Sequence, residues 1–242
     1  MFAEAEADLL VAGADSPAQL AAMVGQRVAG LPLEHVLGWA EFRGLRIAVG
    51  PGVFVPRPRT EFLVEQALAL AGPRPVVVDL CCGSGALAVA VAAEVDVAEL
   101  HAADVDQGAL RYARRNVGTA GGQVHAGDLY EALPESLRGR VTLLLANVPY
   151  VPTGEVGLLP PEASKHEPRI ALDGGPDGLG VLRRVAAGAG GWLAPGGHLL
   201  SETSERQAPV AAGILADCGL VPQLAISADW QATVVTGTRP PS

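Results

Sequence analysis

Apolar and polar positions alternate along this chain in blocks of two kinds. Short apolar runs bounded by Gly, Pro or Asp read as buried strands. Longer stretches with apolar residues three and four apart read as helices. Strands are predicted over 76–80, 99–103, 123–125, 141–146 and 197–202. Helices are predicted between and after them, over 62–71, 86–93, 106–117, 179–188 and 207–216. Strands that alternate with helices imply a parallel sheet covered on both faces, a Rossmann-like, doubly wound α/β fold. The last two apolar runs, 220–226 and 231–237, have no helix between them and predict a terminal antiparallel pair.

The first third of the chain reads differently. Residues 2–28 pattern as two short helices, the second opened by Ser16-Pro17, a good cap and first-turn pair. Residues 39–49 alternate around Arg43-Gly44 and predict a β-hairpin. The prolines of 51–61 fix φ and deny helix until Thr60 can cap the next one. This segment is either a stiff linker or a rigid strap whose Arg57 and Thr60 line a pocket. The division expected is a helical segment (1–30), a β-hairpin linker (31–55) and one large domain (56–242). Residues 151–180 lack periodicity and predict a long loop, which inside a compact domain reads as a lid. His166 within it is a candidate base or a solvated histidine. Arg111, Arg114 and Arg115 share one helix face, read as solvated.

Composition narrows the field. The 242 residues are 49% hydrophobic, enough for a sizeable core. No apolar run approaches the ~20 residues of a membrane span. Glu4, Glu6 and Asp8 deny the start the positive charge of a signal peptide, so a cytoplasmic location is expected. A net charge of −9 argues against tracking nucleic-acid phosphates. Cys81, Cys82 and Cys218 form no metal-ligand spacing, so no metal site is expected, and the chain is expected to be a monomer.

The candidate chemistry lies at the strand ends. The strand 76–80 feeds Cys81-Cys82-Gly83-Ser84-Gly85 and then a helix, a nucleotide-type unit. Gly83 and Gly85 let a ligand approach the backbone, and Asp79 stands near the helix's positive end. No third glycine follows, which disfavours a pyrophosphate cradle. The loop suits a ligand with an amino-acid end and no phosphate, S-adenosylmethionine. Asp104, about 20 positions on, can accept two ribose hydroxyls or cap the next helix. Asp128 can accept from an adenine amino group with Leu129 against the ring, or serve only a turn. Asn147-Val148-Pro149-Tyr150 then presents a side-chain amide and a carbonyl at the carboxyl edge of the sheet, where such folds bind ligands. These four residues read as a holder for a planar –NH2 group that receives something on its nitrogen.

Taken together, these segments resemble the HemK/PrmC-type release-factor N5-glutamine methyltransferases, a family of class I S-adenosylmethionine-dependent enzymes. The resemblance covers roughly 31–238. It rests on Pro32-Leu33-Glu34-His35-Val36-Leu37-Gly38 with the hairpin, Val55-Pro56-Arg57-Pro58-Arg59-Thr60-Glu61, the 78–85 loop and the Asn147–Tyr150 motif. Glu167-Pro168-Arg169-Ile170-Ala171-Leu172 with Asp173-Gly174-Gly175 completes it. The resemblance implies methyl transfer to the Gln of a Gly-Gly-Gln motif in a peptide chain release factor. It implies that Asn147 and the Val148 carbonyl bind the Gln amide, with Pro149 biasing Val148 toward extended backbone so that its carbonyl is aimed and Tyr150 packing against the flat amide to shape the slot. It places Thr60, Asp79, Cys81, Gly83, Gly85, Asp104, Asp128, Leu129 and Asn147 around the cofactor. Two features depart from the family pattern: Val148 stands where a proline is usual, and the N-terminal helical segment is short. An amino methyltransferase acting on a nucleic-acid base and a non-catalytic cofactor-binding homologue are the alternatives. The acidic balance and the missing basic stripe disfavour the first.

Overall fold

The computed structural model describes residues 3–241; Met1 and Phe2, where the first helix was expected to open, lie outside them. Three helices come first: α1 (Ala3–Gly13), α2 (Pro17–Val28) and α3 (Leu33–Leu37). The Ser16 hydroxyl caps α2 by accepting the Gln19 N–H at 3.2 Å. α3 occupies part of the stretch expected as hairpin linker. Gly38 ends it at φ +82°, the left-handed geometry that stops a helix. Leu10, Met23 and Leu33 give these helices an apolar cluster of their own. The hairpin β1 (Trp39–Phe42) and β2 (Leu45–Ala48) follows. Its turn residues Arg43 and Gly44 both have positive φ, which matches the twist of the strands they join.

The rest is one seven-stranded sheet with helices on both faces. In chain order its elements are α4 (Glu61–Leu70), β3 (Val76–Leu80), α5 (Ala86–Glu94), β4 (Glu99–Asp104), α6 (Gln107–Thr119), β5 (Gln123–Ala126) and β6 (Val141–Ala146). Then come α7 (Pro161–His166), α8 (Gly180–Trp192), β7 (Leu193–Thr203), α9 (Ala208–Asp217), β8 (Val221–Ser227) and β9 (Ala232–Thr238). The strand order is β5-β4-β3-β6-β7-β9-β8, with only β9 running against its neighbours. The chain reverses its direction of winding between β3 and β6. That switch point opens a crevice beyond their carboxyl ends.

Alternation of side chains fills both faces. Val77, Leu143, Leu145 and Leu200 pack with α4, α5, α6 and the hairpin residues Phe42 and Ile47. Val78, Leu80, Leu144 and Leu199 point the other way, onto α8 and α9. Each such side chain contributes roughly 1.5–3 kcal/mol by leaving water.

Several expectations are corrected. α8 runs on through Gly190 and Gly191 to Trp192, past the expected end at Gly188. Burial of Trp192, stacked on Tyr130 with ring centroids 5.6 Å apart, outweighs the poor helix propensity of two glycines. β7 starts at Leu193, before the expected Gly197, and its pairing with β6 shifts register between Val141 and Leu143. Residues 151–180 are not a structureless loop. They hold a 3-10 turn (Thr153–Leu158), α7 and a second 3-10 turn (Arg169–Ala171). The ends of this lid are tied at Val151, whose N–H reaches Leu172 and whose C=O accepts from Gly174. Thr60 does not cap α4. It is itself helical, at φ −70°, and its hydroxyl is committed elsewhere. No helix among the described residues is long and apolar enough to cross a membrane.

Candidate active site

A cavity of about 520 Å³ occupies the crevice at the carboxyl ends of β3, β4 and β6, a size within the range of small-molecule sites. Its floor is the loop after β3. Cys81 and Gly83 both take positive φ, and the Cys82 N–H bonds to the Ala103 carbonyl, so the loop folds over the end of β4. A non-glycine residue at positive φ is strained, and strain of this kind gathers at functional sites. Leu129, at φ +50°, is a second case on the same cavity wall.

Asp104 ends β4 and lines the cavity. One carboxylate oxygen accepts the Gly83 N–H at 2.8 Å and the other the Asp106 N–H at 2.9 Å. Each oxygen keeps a lone pair for a ligand. Asp104 is not the helix cap; Asp106 is, accepting from Gly108. Burial raises the Asp104 pKa, with the two backbone N–H groups acting against it. Asp128 also lines the cavity, and its carboxylate pairs with Arg184 of α8 at 2.6 Å.

Two residues expected around the cofactor stand behind the wall. Asp79 is fully buried and does not line the cavity. One of its oxygens accepts the Ala88 N–H in the first turn of α5, and the other has no partner among the described residues. Burial pushes its pKa up to about 8. Gly85 faces α6: a Cβ there would lie 2.5 Å from Val117 Cγ2, so this glycine serves helix packing and not ligand approach. Gly83, by contrast, lines the cavity with open space before it. Asn116 holds the whole loop in place. Its side chain donates to the carbonyls of Ser84 and Ala48 and accepts the Ala48 N–H, fastening the loop to the hairpin.

Asn147, Val148, Pro149 and Tyr150 form the opposite wall. Among the described residues, the Asn147 side-chain amide makes no hydrogen bond, and the Val148 carbonyl accepts none, although Val148 is buried. Two acceptors without partners thus stand next to each other in sequence at the cavity wall. Tyr150 is placed differently from Asn147. Its hydroxyl donates to Glu202 at 2.7 Å and accepts from Arg59 at 2.7 Å.

The strap and residues 151–180 flank the cavity. Arg57 and Thr60 both line it, in line with the strap reading. Arg57 pairs with Glu167 of the lid, and Thr60 donates to Glu202 at 2.6 Å. His166 does not line the cavity, so it is not placed as a base. Arg111, Arg114 and Arg115 are solvent-exposed. Sequence reasoning gave no role to Glu202, Glu167, Asn116 or Arg184. A signal for Glu202 was present: it is an acidic residue at the end of an apolar strand, as are Asp79 and Asp104.

The family described as "Methyltransferase small domain" matches residues 45–157. The release factor glutamine methyltransferase of Streptomyces coelicolor is 41% identical over 201 residues, which cover 81% of this chain and 71% of that enzyme. The 4-amino-L-phenylalanine/4-methylamino-L-phenylalanine methyltransferase of Streptomyces pristinaespiralis is 40% identical, over 76% of this chain and 65% of that one. Among solved structures, a methyltransferase from Pyrococcus furiosus superposes with a TM-score of 0.62 at 16% identity, covering 91% of this chain and 98% of that one. It shows the shared Rossmann-like fold.

Proposed function

The chain belongs to the release factor glutamine methyltransferase family, and on that premise we propose that it methylates the side-chain amide nitrogen of a glutamine in a Gly-Gly-Gln segment of a peptide chain release factor. The observation that carries this reading is the pair of acceptors without partners among the described residues, Asn147 Oδ1 and the Val148 carbonyl, at one wall of the cavity.

An amide nitrogen is a poor nucleophile because its lone pair is shared with the carbonyl. Two acceptors can take its two N–H groups. They fix rotation about the C–N bond and favour the positive charge that builds on nitrogen in the transition state. Holding that nitrogen in line with the methyl donor is worth up to about 7–11 kcal/mol. No residue of the chain need act as an acid, because the donor would leave as a neutral group, and the proton lost from the methylated nitrogen can pass to water.

The residues present fit S-adenosylmethionine. The cavity has an open glycine at Gly83, the first turn of α5 at its floor, and the Asp104 carboxylate with free lone pairs. When bound, S-adenosylmethionine supplies an electrophilic methyl group. Asp104 would hold its ribose, and Asp128 and Leu129 its adenine. Asp79 would act through the loop and α5, since it does not reach the cavity.

The Streptomyces pristinaespiralis relative motivates a second reading, because the same acceptor pair would also hold the –NH2 of an aromatic amine. A labelled-methyl assay decides between them. Release factor, 4-aminophenylalanine, DNA and RNA are offered in parallel, and the modified residue is mapped by mass spectrometry. Label on the Gly-Gly-Gln glutamine is expected. Label on the arylamine or a nucleic-acid base, with none on the glutamine, would overturn the proposal.

A further inference from the structure

Glu202 sits at the carboxyl end of β7, two residues beyond Leu200, which pairs with Leu145 of β6. It therefore lies level with Asn147, the residue that follows β6. Its side chain is only 3% exposed. Oε1 accepts the Tyr150 hydroxyl at 2.7 Å and Arg59 Nε at 2.9 Å. Oε2 accepts the Thr60 hydroxyl at 2.6 Å. Arg59 also donates through Nη2 to the Tyr150 oxygen, so Tyr150 is held from both sides of its hydroxyl. One buried carboxylate thus joins the strap, the acceptor motif and β7.

Arg59 and Tyr150 have a second property. They line both the main cavity and a neighbouring open groove of about 980 Å³, which runs along Thr153–Leu158, the start of α9 and the turn after β8. With Val151 and Leu159, which also line both, these two side chains stand at the boundary between the groove and the main cavity. At this boundary the Tyr150 hydroxyl is held by two hydrogen bonds, one to Glu202 and one from Arg59.

We propose that Glu202 is a positioning residue that fixes Tyr150 and Arg59 at the entrance through which the acceptor side chain passes from the open groove into the cavity. The inference rests on the glutamine-methylation reading for the identity of the acceptor. The geometry is chemically selective. All three groups facing Glu202 donate to it, and the amide of Glu202→Gln would keep one accepting oxygen and lose the negative charge that faces Arg59. Burial works against the charge of Arg59, but Tyr150 and Glu202 outweigh it and hold its pKa above the usual value.

The test is Glu202→Gln and Tyr150→Phe, singly and together, in the full chain. With release factor as acceptor, each single variant is expected to lower kcat/KM for the acceptor about tenfold or more, and the double variant to be no worse than either. Affinity for S-adenosylhomocysteine, measured by calorimetry, is expected to change less than about threefold. Additive losses, or loss of S-adenosylhomocysteine binding in parallel, would mean a merely structural role and overturn the inference. If the wild-type chain methylates no glutamine, the functional reading fails separately. The positioning contact is then read in urea unfolding of the same four proteins. A coupling of about fivefold or more in the unfolding constant supports it, and additive effects overturn it.

Discussion

Both carboxylate oxygens of Glu167 accept the same Arg57 guanidinium nitrogen, each at 2.6 Å. Glu167 is the inner partner, with 1% of its side chain exposed against 31% for Arg57, and it also accepts the Val55 N–H. The pair joins the strap to the lid across 110 residues of sequence. Arg57 also lies over the Phe54 ring, 4.9 Å from its centroid. Removing the arginine leaves a buried carboxylate without its charge partner. Arg57→Ala is expected to cost about 3 kcal/mol, the lower end for a broken buried pair because Arg57 reaches solvent. Glu167→Gln should cost less, since its carbonyl still accepts from Val55 or Arg57. Urea unfolding of both variants checks the order; a larger loss for Glu167→Gln would contradict it.

Asn147 and Asp104 line the same cavity but have different partners, and their variants should separate binding from transfer. Asn147→Ala removes an acceptor that makes no hydrogen bond among the described residues. It is expected to lower kcat by roughly 10²–10³, as for loss of one oriented polar group, while leaving S-adenosylmethionine affinity nearly unchanged. Asp104→Ala removes a carboxylate and also frees the Gly83 N–H it holds. It is expected to weaken S-adenosylmethionine binding about tenfold or more, one charge-assisted hydrogen bond being worth about 1.5–3 kcal/mol. Calorimetry paired with single-turnover rates reads both. Near-normal transfer by Asn147→Ala, or normal binding by Asp104→Ala, would remove that residue from its role.

Val148 departs from the family's proline, and the structure shows why the departure is tolerable. Its carbonyl faces no protein donor, and its own N–H is likewise absent from every hydrogen bond among the described residues. Restoring proline therefore sacrifices no hydrogen bond, although it replaces a buried valine side chain of the apolar core. Val148→Pro is expected to keep kcat within about threefold of the wild type. It should also stabilise the fold by about 0.4–1 kcal/mol by restricting the unfolded chain. A large loss of activity would show that the valine's own conformation, and not only its carbonyl, is required.

The sheet, its winding and the strand-end acids were legible because each is written in a local pattern: an apolar run, a glycine pair, an Asp or Asn after the run. Helix ends were less so. Trp192 extends α8 because of a ring it meets 62 residues back in the chain, Tyr130, and no local propensity encodes that contact. The same holds for Thr60. Its sequence position suits a cap, but the carboxylate of Glu202 lies 142 residues away in sequence and takes its hydroxyl. Asp79 and Gly85 carried the right motif, yet the motif does not say which atoms face the ligand. Asp79 turned inward to α5, and Gly85 to Val117.

Asp79 makes a prediction about pH. Among the described residues one of its oxygens has no partner, the other has only the Ala88 N–H, and burial, with the nearby Asp104 adding to it, pushes its pKa up to about 8. The native protein therefore holds this proton more tightly than the unfolded chain, whose aspartates titrate near ~4. A raised native pKa contributes stability that is full below the unfolded value and is lost as pH rises through the native one. Between roughly pH 4 and 8 this single group should lower stability by at most about 1.4 kcal/mol per pH unit. Asp79→Asn keeps an acceptor for Ala88 and removes the titration. The stability of the wild type minus that of Asp79→Asn should thus fall steadily from pH 5 to pH 8, as measured by urea unfolding at several pH values. A flat difference would mean that Asp79 is already ionised in the native protein over this whole range.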